Sequence, residues 1–450
     1  MATLKMILLI AMRNLVQARV RTLFLGTALT LVTMLLVILM GLSQGISDNI
    51  VRSATTLSTG HVNVAGFFKA TSTDSAPLIT DASKLKKIVR ENTEGLDYVV
   101  DRNRGWARII SPTGALASLI LGVDIEEEAR LVDVLQLAPQ SDYKEGGSQK
   151  ILGDASKLGE PNTVVLFATQ AERLEVDVGD KLTLRSQTRD GRANTVDVTI
   201  VAVARDIGIL SNFSMFVPKQ VVLDLYQLKP DTSGAIQIYL DDIDRSREVM
   251  EHLRLVLEKE GYELMEYQPA PFFAKFGTTS GEDWIGQKID LTVWSDEVEF
   301  LMWVLTALDT VSYALIAILI AIIAVGVMNT MWISVRKRTG EIGTLRAMGM
   351  TKSRVFLLFI SEAFLLGLFA SLLGATLATI IALSINAAEI TIPVDAVRAI
   401  LLSDKLVLAI GPQQFLIAIG MLTSFTVVSA MWPSIRAARM QPVEAIQQTE

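Results

Sequence analysis

The chain has 450 residues, half of them hydrophobic and 20% charged, with a mean hydropathy of +0.41, which suits long apolar segments attached to an ordinary soluble domain. It contains no cysteine, which excludes thiol redox chemistry and disulfide staples. The formal net charge of −7 averages segments of opposite sign, so its distribution says more than its total.

Residues 1–22 place Ile7, Leu8, Ile10, Ala11, Leu15 and Ala18 around a helix interrupted by Arg13, Asn14 and Gln17, the pattern of a basic elbow helix in the membrane interface. Residues 23–42 then run without a charge, and at ~1.5 Å per residue they cross a hydrocarbon core of roughly 30 Å. That run exceeds the roughly 7–15 residues of a signal-peptide core and no small-x-small site follows Met40, so residues 23–45 are expected to be a retained first span.

Residues 46–300 hold 40 acidic and 27 basic residues and alternate β with helical patterns, which predicts a mixed α+β domain, possibly in two lobes, that does not bind nucleic acid. Strands are expected over 61–64, 117–123, 163–167, 181–185, 196–204, 215–217 and 235–240, and helices over 168–174, 219–228 and 245–260. Residues 268–281, with their Gly, Pro and Phe, read as a loop. A helix then resumes near Trp294 and runs as one rod into the second span, because Val298, Leu301, Met302 and Leu305 keep helical spacing.

Spans are expected over 301–335, 355–384 and 413–432, which makes four in all. Residues 1–22, 336–354 and 433–450 together carry 12 Lys and Arg against three acidic residues, which places them, and both termini, in the cytoplasm. The 46–300 domain and the 385–412 loop are then extracytoplasmic. The expected architecture is an α-helical membrane protein with four transmembrane helices and a large α+β extracytoplasmic domain between the first and second. Glu362 and Asp309 fall inside spans, where a charge must face protein, water or the interface; for Glu362 a packing or interfacial role is favoured over ion coupling.

Between the second and third spans, Ile342, Leu345 and Met348 recur every three residues between Gly340 and Gly349, which read as helix breakers, an apolar stripe suited to a partner's groove. Its bland alternative is a charged loop whose cations only satisfy topology. Residues 206–217 display Ile209, Leu210, Phe213 and Met215, either as a partner loop or, more simply, as core packing. His61 and His252 stand far apart with no further ligand pattern, which argues against a metal site. No nucleophile elbow and no Gly-x-x-x-x-Gly-Lys-[Ser/Thr] loop occurs, so the chain is not expected to be an ATPase or another enzyme.

The run Asn329-Thr330-Met331-x-Ile333-Ser334-Val335 through Arg338, Glu341-Ile342-Gly343, Leu345-Arg346-Ala347-Met348-Gly349 and Glu362 resembles the permease family typified by MacB, FtsX and the lipoprotein-releasing LolC and LolE. Similar to that family too are Ala11-Met12-Arg13-Asn14-Leu15, Thr59-Gly60-His61-Val62-Asn63-Val64, the 163–180 pattern and the tail from Pro433 through Arg436-Ala437-Ala438-Arg439-Met440 to Pro442-Val443-Glu444-Ala445-Ile446. The resemblance implies a dimer of permease subunits, identical or paired with a second kind, on two cytoplasmic ATPases that bind ATP and Mg; the chain itself holds no cofactor. It implies that Arg338, Glu341, Ile342, Leu345, Arg346 and Met348 couple to the ATPase, whose closure is transmitted mechanically to the outer domain of this inner-membrane protein. A hydrophobic substrate, in particular a lipoprotein, is implied by the lipoprotein-releasing branch, with Ile209, Leu210, Phe213 and Met215 as a candidate loop for a soluble carrier. A regulator of a cell-wall enzyme, in the manner of FtsX, is the alternative.

Overall fold

The computed structural model describes residues 2–71, 74–188, 191–207, 211, 213–392, 394 and 405–441. Ile209, Leu210 and the 442–446 part of the tail signature lie outside the described residues. Two compact units result, one of 1–48, 305–391 and 405–450, the other of 49–304 and 392–404.

The first unit is helical. Its elbow, α1 (Ala2–Gln17), turns at Ala18 into α2 (Arg19–Ala54), and Thr22 locks the corner by donating its hydroxyl to the Leu15 carbonyl at 2.8 Å. Further along come α10 (Glu299–Lys337), the short α11 (Thr339–Ala347), α12 (Lys352–Ala387) and α13 (Pro412–Arg439). Among the described residues four helices, α2, α10, α12 and α13, are long and apolar enough to cross a membrane. They pack through small residues, since in lipid close backbone approach replaces hydrophobic driving force. Ser371 meets Thr423 at 3.3 Å, and a Cβ on Gly367 would lie 3.1 Å from Thr426. Gly374 is tighter still, because its Cβ would stand 2.5 Å from the Thr30 carbonyl oxygen and 2.7 Å from Thr33 Cβ on α2.

Gly374→Val is therefore expected to force α12 from α2 at a cost of about 1–3 kcal/mol. Thermal unfolding of the detergent-solubilised chain reads this as a lowered midpoint. Gly420→Ala on α13, where a Cβ would meet nothing within 4 Å, is the control expected to leave the midpoint in place.

The second unit is the α+β domain, and it has two lobes built on one long strand. That strand, β4 (Leu96–Ile110), pairs through its first half with β11 (Ala235–Leu240), which pairs with β1 (Val62–Thr71), which pairs with β12 (Gly286–Val293). Helices α3 (Ala82–Asn92) and α7 (Ser246–Lys259) pack on this sheet through Leu85, Val89, Val249 and Leu253 against Val62, Val64, Ile236 and Ile238. The second half of β4 begins a closed ring: β5 (Ala115–Val123), β9 (Ser214–Pro218), β6 (Thr163–Phe167), β8 (Ala193–Ala204), β7 (Lys181–Gln187) and back to β4. Such closure removes sheet edges, and the interior is filled by Ile109, Ile120, Val164, Leu184, Ile200 and Met215. Three short helices complete this part of the chain, α4 (Ala129–Val134), α5 (Ala168–Leu174) and α6 (Lys219–Tyr226).

Several expectations need correction. The stretch 268–281 is not all loop, since α8 (Lys275–Gly281) forms there, held by a buried pair of Lys275 with Asp290 at 2.9 Å and capped at its end by Lys69, which donates to the Thr279 carbonyl at 3.0 Å. The rod does not run unbroken from Trp294: α9 (Trp294–Glu297) ends at Val298, whose φ of −117° and ψ of 37° leave the helical region, and α10 starts afresh at Glu299. Five of the described strands were absent from the sequence expectation, the long β4 and β12 and the short β2 (Asp74–Ala76), β3 (Ile79–Thr80) and β10 (Thr232–Ser233).

Candidate coupling site

Helix α11 joins two of the long apolar helices. Arg338 caps its start; Gly340, expected to break it, is an ordinary helical residue, whereas Gly349 does end it, with a φ of +96° that disfavours any side chain. The Arg338 guanidinium donates from Nε to Glu341 at 3.0 Å and from Nη1 to Glu362 at 2.7 Å, and it lies over the Phe359 ring. Asn14 of the elbow donates to the same Glu362 oxygen at 2.6 Å.

Glu362 thus sits buried on α12, where it collects donors from α1 and from the α10–α11 junction. Its second oxygen, Oε2, has no hydrogen-bond partner among the described residues. A buried carboxylate is tolerated only with such company, and its position ties three separate elements together. At the other end of α11, Arg346 donates to the carbonyls of Ala438 at 3.0 Å and Met440 at 2.7 Å, in the last turn of α13 and just past it, where cations complement exposed helix carbonyls. Asp309, the other charge flagged within a span, accepts from Ser43 at 2.9 Å.

The six expected coupling residues therefore divide. Arg338 and Arg346 bond inward, and Ile342 is 4% exposed, packed with Leu25, Val335, Val355 and Phe359. Leu345 is half-buried, while Glu341 is exposed and Met348 is 72% exposed. The stripe of three does not face one way, because Met348 stands just beyond the helix, in its C-cap position. What α11 offers outward is Glu341, Leu345 and Met348, on a base fixed by Arg338, Ile342 and Arg346.

The α+β domain contains a second constellation that sequence reasoning missed. After Ala54 the chain makes a π-helical turn, Thr55–Thr59, and each of its first four carbonyls finds a donor. Thr55 accepts from the Gly60 amide at 2.8 Å and the Tyr239 hydroxyl at 3.0 Å. Thr56 and Leu57 accept from Arg102 at 2.7 and 2.9 Å, and Ser58 accepts from Gln237 at 2.5 Å. Arg102 is itself 1% exposed and pairs with buried Glu128 through Nε, at 2.9 Å, and through Nη2. Burial alone would lower the Arg102 pKa, but the Glu128 carboxylate outweighs it and raises it, so this cation is permanent. Gly60 closes the turn with a φ of +65°, and a Cβ there would strike Gln237 at 2.9 Å, which is the physical content of the Thr59-Gly60 signature. A strand interior reading Asp101-Arg102-Asn103-Arg104 was the available signal.

Of the candidate partner loop, Met215 is fully buried in the barrel core and Phe213, just before β9, is 54% exposed; Ile209 and Leu210 lie outside the described residues.

With this geometry in hand, comparison with known proteins is direct. Residues 23–256, more than half of the chain, match the MacB-like periplasmic core domain, and residues 313–442 match the FtsX-like permease C-terminal domain. The chain belongs to this family of MacB-like and FtsX-like permeases. Among individual proteins it is similar to the lipoprotein-releasing system transmembrane protein LolC of Haemophilus influenzae, 24% identical over 282 residues that cover 61% of this chain and 62% of LolC. It is also similar to the macrolide export ATP-binding/permease protein MacB of Agrobacterium fabrum, 30% identical over 135 residues, or 30% of this chain and 18% of that one. The matched part thus spans less than two thirds of either relative. The crystal structure of the periplasmic region of MacB from Actinobacillus actinomycetemcomitans aligns at 14% identity and a TM-score of 0.29, covering 45% of this chain and 86% of that one.

Proposed function

We propose that this chain is the permease subunit of an ABC transporter, non-catalytic itself, which works in the inner membrane as a dimer with a separate cytoplasmic ATPase pair that binds ATP and Mg. The observation that carries the reading is α11: a short helix between two spans, anchored on its inner side by Arg338–Glu362–Asn14 and Arg346, with Glu341, Leu345 and Met348 left to meet a partner. Its cytoplasmic placement follows from the excess of Lys and Arg in 1–22, 336–354 and 433–450.

Closure of the ATPases moves α11, and because α11 is fastened to α1, α12 and α13, the movement passes to the spans and on to the outer, periplasmic domain. A partner that bound every state equally would shift nothing, so the α11 surface must fit one ATPase state better than another. The substrate is hydrophobic, a lipoprotein in the first instance; similarity to LolC over 61% of this chain supports this. Phe213, exposed among the described residues of the candidate carrier loop, is then a contact for a soluble acceptor.

Affinity purification from native membranes is expected to recover a P-loop ATPase, and Met348→Asp or Leu345→Asp to lose it while the permease still elutes as a folded species. Retention of the ATPase by both variants would put the docking surface elsewhere. Reconstitution with triacylated lipoprotein and a carrier should then give ATP-dependent release. Absence of release, together with stimulation of a cell-wall hydrolase, would replace transport by regulation.

A further inference from the structure

Between the elbow, α2 and α12 lies a groove of about 700 Å³, within the ~300–1,000 Å³ of ordinary ligand pockets. Its wall is apolar, with Val16, Leu23, Leu31, Phe369 and Leu373 along it. The threonines that line it offer no free hydroxyl: Thr22 donates to Leu15, Thr27 to Leu23 and Thr30 to Ala370. Arg19 is the one charged residue of the lining, exposed four residues before the uncharged run, and it makes no ion pair or side-chain hydrogen bond among the described residues. Along α2 the lining extends from Arg19 to Leu31, roughly 18 Å of helix, close to the ~15 Å that one leaflet contributes to a hydrocarbon core.

We infer that the groove holds one anionic phospholipid, an acyl chain along the α2–α12 wall and the phosphate on the Arg19 guanidinium. The wall is the length of a single leaflet, which fits a chain anchored at the interface. It offers no free hydroxyl proton at depth, which disfavours a ligand with acceptors there, and its one cation lies where a headgroup phosphate would be. Arginine suits this role because its planar fork matches phosphate oxygens. The inference stands apart from the transport reading and would survive its failure.

Native mass spectrometry of the full chain, released from detergent containing equal phosphatidylglycerol and phosphatidylcholine, tests it. The expected result is one retained lipid per chain with about fivefold preference for phosphatidylglycerol, the ratio that ~1 kcal/mol per arginine at an anionic surface gives. Arg19→Gln should bring that ratio to about one, and Arg19→Lys should largely keep it. Gly26→Leu should abolish retention of both lipids, because a Cβ at Gly26 meets only Leu366, at 3.7 Å, and a longer side chain must enter the groove. Unfolding midpoints equal to the wild type establish that these variants are folded. A wild type without preference, or an Arg19→Gln chain that keeps it, would overturn the proposal. So would efficient disulfide formation between Leu31→Cys copies in native membranes, which would seat a second copy's helix there instead.

Discussion

Arg102→Ala is expected to destabilise the protein by about 3–5 kcal/mol, the usual cost of removing one member of a buried ion pair. The substitution strands the Glu128 carboxylate in a dry site and also orphans the carbonyls of Thr56 and Leu57. These costs separate in a second variant. Arg102→Met with Glu128→Leu removes the stranded charge but leaves both carbonyls without donors, so it should recover part of the loss and not all of it. Thermal unfolding of the full chain in detergent, followed by tryptophan fluorescence, gives the comparison. Limited proteolysis should in addition show early cutting near 55–59 in both variants. If Arg102→Ala unfolded within about 1 kcal/mol of the wild type, the turn would be held by something other than this clamp.

The second large effect is expected at Glu362. Glu362→Ala leaves Asn14 without its acceptor and Arg338 with Glu341 alone, a loss on the order of 1.5–3 kcal/mol for hydrogen bonds to a charged group. The cost stays below that of Arg102 because Arg338 is only partly buried and can turn toward water. Glu362→Gln keeps an acceptor but not the charge, so it should fall between alanine and wild type. Trypsin cleavage at Arg336 to Arg346 measures the loosening of α11, and the order alanine, glutamine, wild type in rate is the expected outcome. Equal rates would mean that Ile342 packing alone seats the helix.

The four apolar helices were legible because some 20 uncharged residues in a row have few other meanings. So were β6, α5, β11 and the ring strands near them, where a short apolar run meets a clear turn. The strand β4 was not, because its centre carries Asp101, Arg102, Asn103 and Arg104, which read as a polar loop until their partners are known. Lys86 and Lys219 answer Asp101, while Glu128 answers Arg102, and those partners lie 15 to 118 residues away. The strand β12 was missed for a related reason: Asp290 is neutralised by Lys275 within a segment that looked like loop. At α11 the periodicity showed a helix but not which side of it would be covered. That depends on Val355, Phe359 and the end of α13, which no local pattern contains.

The pairing of β1 with β12 has a mechanical meaning. One strand follows the first long helix and the other precedes the second, and they are zipped antiparallel from Val62 opposite Val293 to Lys69 opposite Gly286. A slip of this zipper by one residue would turn Val62 and Val64 from the core to the opposite face, so the ladder has one register and no neighbouring one of similar energy. The two strands can therefore part only by giving up the whole ladder, not by creeping along it one residue at a time.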